Sequence, residues 1–94
     1  MLNKKNRKRC RKVLKQFGDA HQMVKMSEEC AELIQAIARL SQGDTSKKAL
    51  DNFVEEFVDV AVVWEQLRSA FAITKTILNK RAKKKLKKTL RREK

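Results

Sequence analysis

The stretch EEFVDVAVVW, residues 55–64, is a nearly continuous apolar run that carries one carboxylate in its middle. Every residue from Phe57 to Trp64 is apolar except Asp59, and no Gly, Pro, Asn or Ser interrupts the run. Such a segment is expected to be buried on most of its sides. Because an unpaired ionised carboxylate is costly in an apolar interior, Asp59 predicts either a narrow solvated stripe or a positively charged partner.

The rest of the chain has the composition of a small all-α protein. Its 94 residues include no Pro, no Tyr and only two Gly, and its β-branched residues do not alternate with polar ones. A chain of this length forms one domain at most and buries roughly 60% of its unfolded surface, which leaves a marginal core. We therefore predict one all-α domain over residues 1–94, a small antiparallel bundle of about four helices that oligomerisation completes.

Apolar periodicity and capping residues divide the chain into four helical segments. They are predicted at residues 4–17, at residues 20–40, from Thr45 or Ser46 to about residue 70, and from about residue 74 onward. Gly18 is expected to end the first helix, and Asp19 to cap the second. Gly43 is expected to adopt the left-handed conformation that ends the second helix.

The net charge of +13 is concentrated at the two ends of the chain. Residues 1–16 carry a charge of +8, residues 17–74 carry −5, and residues 75–94 carry +10. We therefore divide the domain into a basic N-terminal helix (1–17), a metal-binding core (18–73) and a basic C-terminal helix (74–94). Catalytic chemistry, if present, is expected in the acidic middle.

Sequence patterns also limit the location and partners of the chain. No segment reaches the roughly 18 uninterrupted apolar residues of a membrane span, and no apolar segment follows the basic N-terminus as in a secretory signal. We expect a cytoplasmic protein with no membrane partner. Cys10 and Cys30 lack metal-binding spacing and are interpreted as small hydrophobic residues. The second and third helices are too apolar for surface helices, which predicts a homodimer or homotetramer.

The acidic middle places carboxylates in pairs along two helices. At 100° per residue, four side chains of the second helix fall within about 80° of one another; they are Gln22, Lys25, Glu29 and Glu32. Glu28 lies at the edge of this stripe. On the third helix, Glu56 and Asp59 are three residues apart and therefore one turn apart. If the two helices pack antiparallel, four carboxylates face one another.

Facing carboxylates persist only if divalent cations neutralise them or protons remain bound. All-oxygen ligands favour Mg²⁺, Mn²⁺ or Ca²⁺. Zinc is disfavoured because His21 is the only histidine, and no Glu-x-x-His pair of a di-iron site is present. The alternative is that these glutamates are solvated and that Lys25 and Glu29 form an ordinary ion pair. Asp59 argues against it, because a solvated face does not explain a carboxylate within an apolar run.

The two carboxylate pairs resemble the EExxE…ExxD signature of the all-α nucleoside triphosphate pyrophosphohydrolases, which include the MazG-like proteins. The matching segments are EECAE at residues 28–32 and EFVD at residues 56–59, and Lys25 matches a lysine common in MazG-like members. The resemblance extends over about residues 18–82. It implies a Mg²⁺-dependent hydrolase, with Mn²⁺ as a possible substitute, that cleaves a (deoxy)nucleoside triphosphate to the monophosphate and pyrophosphate and so maintains the nucleotide pool.

The resemblance also implies roles for particular residues. The metal-ligand positions map onto Glu29, Glu32, Glu56 and Asp59. Glu29 or Glu28 would position or deprotonate the attacking water. Contacts with the substrate are expected from Lys25 and from Lys80 and Arg81, which lie where MazG-like members often carry contacts to the triphosphate. By position alone, Gln22 and His21 lie one or two turns before the metal ligands and are expected to reach the base.

Two other functions remain open at this point. The first alternative is a basic helical nucleic-acid-binding protein whose acidic middle is a folding and dimerisation core. Its strongly basic termini would contact nucleic acid through phosphate neutralisation, although no aromatic residues are interleaved there for base stacking. The third reading is an interaction module that keeps the fold without turnover.

Overall fold

A computed structural model describes residues 2–92, which form four α-helices. They are α1 (Lys4–Phe17), α2 (Asp19–Ser41), α3 (Lys47–Ala70) and α4 (Lys75–Arg92). No strand occurs within the described residues. The predicted all-α class and the number of helices are confirmed, and α1, α2 and α3 begin and end within two residues of their expected positions. The helix α4 begins one residue after its expected start, and its expected end at residue 94 lies outside the described residues.

Local capping bonds explain where the helices begin. The Asn3 side chain accepts a hydrogen bond from the Asn6 amide at the start of α1, and Ser46 does the same for Ala49 at the start of α3. Such caps satisfy amides that have no partner inside the helix. The predicted cap at Asp19 is wrong, because Asp19 is already helical and Gly18 occupies the cap position without a side-chain bond.

The turn after α2 brings α3 back against it. Gly43 has φ of 98°, which a residue with a side chain rarely adopts, so the left-handed conformation expected there is confirmed. The Gly43 amide donates to the carbonyl of Leu40, and the Asp44 amide donates to that of Arg39. This pair of bonds is a Schellman motif. The short turn makes α2 and α3 antiparallel neighbours, as the facing of their carboxylates requires.

The described core is small and lies mainly along the α2–α3 contact, with α1 packed chiefly on α3. Its buried apolar members have modest side chains: Cys10, Ala36, Ala49, Ala61, Val63 and Leu67. The Cys10 thiol donates to the carbonyl of Val62, which ties α1 to α3. Its burial agrees with the prediction of a small hydrophobic residue. A core of small residues allows the backbones of α2 and α3 to approach closely.

The last helix, α4, stands apart from the other three. No Cα atom of its described residues comes within 8 Å of a Cα of α1, α2 or α3. The connection to α3 is itself ordered by Arg68, which pairs with Glu65 and donates to the carbonyl of Ile73 at 2.9 Å. The direction in which α4 leaves α3 is therefore held by the turn and not by packing of α4 on the bundle.

Large apolar side chains remain exposed on the two central helices, and the expected burial of the run around Asp59 on most of its sides is wrong, because Phe57, Val58 and Asp59 itself are exposed. On α2 they include Val24 (61% exposed) and Ile34 (65%), and on α3 they include Val54 (55%) and Phe57 (42%). The Cα radius of gyration is 15.8 Å, whereas a compact chain of this length would have about 12 Å. None of the described helices is long and apolar enough to cross a membrane.

Candidate metal centre and its two cavities

Four carboxylates from α2 and α3 converge at the middle of the helix pair. One oxygen from each side chain lies within 4.8 Å of the others, and the four residues are Glu29, Glu32, Glu56 and Asp59. Glu29 and Glu32 are one turn apart on α2, as Glu56 and Asp59 are on α3, so each helix contributes two oxygens to one point. We call this group the carboxylate cluster. The structure brings together all four residues that the sequence suggested as metal ligands.

Two oxygens of the carboxylate cluster are buried without a partner. Glu29 is 6% exposed, and its Oε2 atom has no hydrogen-bond partner within the described residues. The same holds for Glu56 Oε2. Buried polar atoms are nearly always paired, and a carboxylate oxygen left unpaired costs more than a neutral one. These two oxygens therefore point to a positively charged ligand that the protein itself does not supply.

Repulsion and desolvation both act on the α3 carboxylates. Desolvation raises the pKa of Glu56 above its ordinary 4.5, and the adjacent Glu32 raises it further, by a hydrogen bond when one of the two carboxylates holds a proton and by repulsion when both are ionised. Desolvation also raises the pKa of Asp59 above its ordinary 3.8, with Glu29 as the next cause. Both shifts favour the protonated form, so in the absence of a cation the cluster tends to retain protons. A divalent cation would relieve the same repulsion by displacing them.

Lys25 partly neutralises the cluster from one side. Its Nζ lies 3.1 Å from Glu29 Oε1, which leaves the other oxygen of that carboxylate unpaired. The contact with Glu29 raises the pKa of Lys25 above its ordinary 10.5. The ordinary i, i+4 ion pair foreseen for these two residues is thus present, yet it satisfies one carboxylate oxygen and not the four-carboxylate group.

A large cavity opens on one side of the carboxylate cluster. Its volume is about 630 Å³, within the range of about 300–1,000 Å³ typical of small-molecule sites. Glu29 and Asp59 form its edge toward the cluster. Its far wall includes Phe17 and His21, whose rings stack with centroids 5.1 Å apart. The cavity therefore combines apolar and aromatic walls with a carboxylate edge.

A buried amide pair forms the floor of this large cavity. Gln22 Nε2 donates to Gln66 Oε1 at 2.5 Å, and the two residues are 4% and 1% exposed. Gln22 Oε1 also lies 2.7 Å from His21 Nδ1, so the network extends to a second residue that lines the cavity. Gln22 was among the predicted substrate contacts, whereas Gln66 was missed. Its position seven residues after Asp59, two turns along the same face, was the available signal.

A second, smaller cavity of about 310 Å³ lies on the other side of the cluster. Glu32 and Glu56 form its edge, so the carboxylate cluster separates the two cavities. Its other lining residues are all polar except Ala36, and they are Gln35, Arg39 and Asn52. Sequence analysis did not single out Arg39, although it lies two turns after Glu32 on the same face of α2.

The remaining predicted site residues divide into two groups. Glu28 lines the large cavity beside Lys25 but lies outside the carboxylate cluster. Lys80 and Arg81 are exposed on α4 and line neither cavity, because α4 stands apart from α1, α2 and α3. Their contact with a triphosphate stays a prediction, because within residues 2–92 of a single chain neither residue lines a cavity at the carboxylate cluster.

The donor set fits a hard divalent cation. Every donor in the cluster is a carboxylate oxygen, and Mg²⁺, Mn²⁺ and Ca²⁺ prefer such oxygens. The clustered oxygens and the two unpartnered atoms are independent observations that favour the same kind of ligand. Comparison of the chain with protein-family models, with curated proteins and with solved structures gives no match. The case for a site therefore rests on its geometry and charge.

Proposed function

We propose that the protein is a Mg²⁺-dependent nucleoside triphosphate pyrophosphohydrolase that converts a (d)NTP to the (d)NMP and pyrophosphate. The observation that carries the proposal is the pair of buried, unpartnered oxygens, Glu29 Oε2 and Glu56 Oε2, within a four-carboxylate cluster. The EExxE…ExxD resemblance supports the same reaction. Mn²⁺, which accepts similar ligands, is expected to substitute for Mg²⁺.

The large cavity suits the nucleoside part of such a substrate. The stacked rings of Phe17 and His21 offer an aromatic surface, and the buried amides of Gln22 and Gln66 offer hydrogen bonds to a base edge. Lys25, 45% exposed along its side chain beside Glu29, can donate to a phosphate oxygen near the cluster. With the base in this cavity, the triphosphate extends from it across the carboxylate cluster.

In the proposed reaction a water oxygen forms a bond to the α-phosphorus. The bond from that phosphorus to the α,β-bridging oxygen breaks, and pyrophosphate leaves with the electron pair. Glu28 lines the cavity and lies outside the carboxylate cluster. We therefore assign to Glu28 the role of the general base that accepts the proton of the water, while Glu29 positions that water. When bound, Mg²⁺ would neutralise phosphate charge and lower the pKa of the attacking water. No covalent nucleophile is needed.

We also propose that the active form is a homodimer or homotetramer. Fourteen large apolar side chains among the described residues are exposed, and at 100° per residue those of α2 and those of α3 each share one side of their helix, as an association surface would. That side points away from the carboxylates, which lie about 80° or more around the helix from each of these residues, so a second copy would cover it without changing the carboxylates. A monodisperse monomer in light scattering at micromolar concentration would contradict this assembly.

A panel of the common NTPs and dNTPs tests the proposed function. Each nucleotide is incubated with the protein and Mg²⁺, and the products are separated and identified. We expect at least one nucleotide to yield its monophosphate and pyrophosphate, and chelation of the metal to abolish the reaction. Release of orthophosphate with a diphosphate would contradict the cleaved bond, and no turnover of any nucleotide would contradict the activity.

Nucleic-acid binding is the second candidate, and the composition of α4 favours it. Ten of its eighteen residues are Lys or Arg and none is acidic, and no Cα atom of the described helix lies within 8 Å of a Cα of the other three helices. Such a helix would bind phosphates through counterion release, with affinity that falls steeply as salt increases. Binding that depends on salt and ignores Mg²⁺, without hydrolysis of nucleotides, would favour this candidate over the first.

A further inference from the structure

We infer that the small cavity is the pyrophosphate end of the site, and that Arg39 binds the β- and γ-phosphates there with Asn52 and Gln35. This inference rests on the proposed function, since it assigns a direction to the substrate across the carboxylate cluster. The nucleoside lies in the large cavity, the α-phosphate at the cluster, and the departing pyrophosphate beside Arg39. The role of Arg39 is substrate binding and stabilisation of the leaving group.

The first argument is the position of Arg39 among the cations of the acidic middle. Residues 17–74 contain five Lys or Arg residues. Within the described chain, Lys25 pairs with Glu29 and Arg68 pairs with Glu65, while Lys47 and Lys48 begin α3 outside both cavities. Arg39 is the one of the five that lines a cavity at the cluster and forms no ion pair.

The second argument is that the small cavity is not arranged to satisfy its own polar groups. Arg39 shares the lining with Glu32 and Glu56, yet no salt bridge joins it to either carboxylate in the described structure. Glu56 Oε2 is buried there without a partner. Side-chain hydrogen bonds of Gln35 and Asn52 are likewise absent from residues 2–92. Arg39 and Gln35 are exposed and therefore accessible to a ligand, and together with the one buried, unpartnered oxygen of Glu56 they favour a polar, multiply charged ligand.

The chemistry of a guanidinium matches the end of a triphosphate. Arginine presents a planar set of donors that binds phosphate oxygens bidentately, and it stays charged at all relevant pH values. The β- and γ-phosphates carry most of the substrate charge, and pyrophosphate gains negative charge as the bridging bond breaks. A cation at that end therefore stabilises the transition state more than the bound substrate, which raises kcat as well as affinity.

The geometry also explains the direction of the substrate. The two cavities share no lining residue, and each includes two members of the cluster, Glu29 and Asp59 in the large one and Glu32 and Glu56 in the small one. The aromatic and apolar walls belong to the large cavity, and Arg39 belongs to the small one. A base is therefore matched with the first cavity and a phosphate chain with the second.

The test is a pair of exposed substitutions at opposite ends of the site. We compare Arg39→Gln with Phe17→Ala in the full chain with Mg²⁺, and use Lys48→Gln as the matched control for loss of one exposed cation. Calorimetry measures binding of pyrophosphate and of each of the four deoxynucleoside monophosphates. Arg39→Gln is expected to weaken pyrophosphate binding by about tenfold or more and leave monophosphate binding within about twofold. Phe17→Ala should have the opposite pattern, and Lys48→Gln should change neither.

Steady-state hydrolysis provides the second readout. For Arg39→Gln, we expect kcat/KM for the preferred triphosphate to fall by about tenfold or more, with recovery in part by Arg39→Lys. Equal pyrophosphate affinity in Arg39→Gln and Lys48→Gln would overturn the inference, as would a larger loss for the monophosphates. If the wild type binds pyrophosphate through Arg39 but hydrolyses no triphosphate, the proposed function fails and the phosphate site stands. If it hydrolyses triphosphates at a rate that does not depend on Arg39, the proposed function stands and the phosphate site at Arg39 fails.

Discussion

The α2–α3 pair and α4 carry charge in opposite ways. On α4, ten cations face solvent around an otherwise separate helix. On α2 and α3, fewer charges converge from two helices, and two carboxylate oxygens lie buried without a partner. A surface charge is solvated and contributes little energy wherever it lies, whereas a buried unpaired carboxylate must be compensated. The site is therefore indicated by the burial of a few charges, not by the large net charge.

The same contrast appears between neighbouring glutamates. Glu28 and Glu29 are adjacent in sequence, yet Glu28 is exposed at the cavity edge and Glu29 is buried in the cluster. Successive helical residues point about 100° apart, so one can serve as an accessible base while the other serves as a ligand. Each prediction below tests one side of the contrast between buried and solvated charge.

The largest effect is expected from Asp59→Asn, which removes a ligand and keeps the shape. Activity should fall by about 1,000-fold, corresponding to several kcal/mol of lost stabilisation. Without metal, the melting temperature should stay the same or rise, because one repelling charge is gone. Added Mg²⁺ with nucleotide should raise the melting temperature of the wild type by mass action, and the variant should lose most of that rise.

Asp51→Asn is the control for this substitution, since Asp51 is exposed on the same helix and lies outside the cluster. It should keep both activity and the response to Mg²⁺. A structural carboxylate at Asp59 would behave differently. In that case Asp59→Asn would lower the melting temperature without metal, and the Mg²⁺ response would survive.

Glu28→Gln should lower kcat by about 100-fold, because loss of a general base typically costs 100-fold or more. Unlike Asp59→Asn, it should leave the Mg²⁺-induced rise in melting temperature unchanged, since Glu28 lies outside the carboxylate cluster. Single-turnover kinetics and thermal melts measure the two quantities separately. Loss of both together would place Glu28 among the metal ligands instead.

A smaller effect is expected from the double substitution Lys80→Gln with Arg81→Gln. If these α4 residues reach the triphosphate in the assembled protein, KM should rise by about fivefold, as for loss of partly exposed charge contacts. The double substitution Lys84→Gln with Lys88→Gln removes the same charge elsewhere on α4 and should leave KM unchanged. Equal KM values for both double variants would exclude Lys80 and Arg81 from the substrate site.

The smallest effect is the pH dependence of stabilisation by Mg²⁺. The pKa values of Glu56 and Asp59 are raised in the folded state, so the metal-free fold binds protons more tightly than the unfolded chain. The stability that these two carboxyl groups contribute is therefore fully present below their ordinary pKa values and is lost as pH rises through the raised ones. Mg²⁺ competes with those protons, so its effect on the melting temperature should be several degrees larger at pH 7.5 than at pH 4.5. A rise that does not depend on pH would contradict proton retention by the cluster.

Much of this arrangement was predictable because it follows from local periodicity. Residues three apart on a helix are neighbours, so the pairs Glu29–Glu32 and Glu56–Asp59 could be read directly, and an antiparallel turn at Gly43 was enough to suggest that they meet. Gln66 and Arg39 were missed although each lies seven residues after a cluster member. A polar residue at that spacing is common on any helix, and only its burial or its cavity distinguishes it.

By itself, the sequence determined the four helices, their ends and the faces on which the carboxylates lie, because these depend on interactions within one or two helical turns. Only the tertiary structure decided that the four carboxylates approach within 4.8 Å, that two oxygens are buried without a partner, and that a cavity lies on each side. It also decided that α4 lies away from the bundle, although Leu78, Leu86 and Leu90 form an apolar stripe along one side of this helix that could pack on another helix. Those properties depend on how far apart two helices pack and what lies between them, which helical periodicity does not specify.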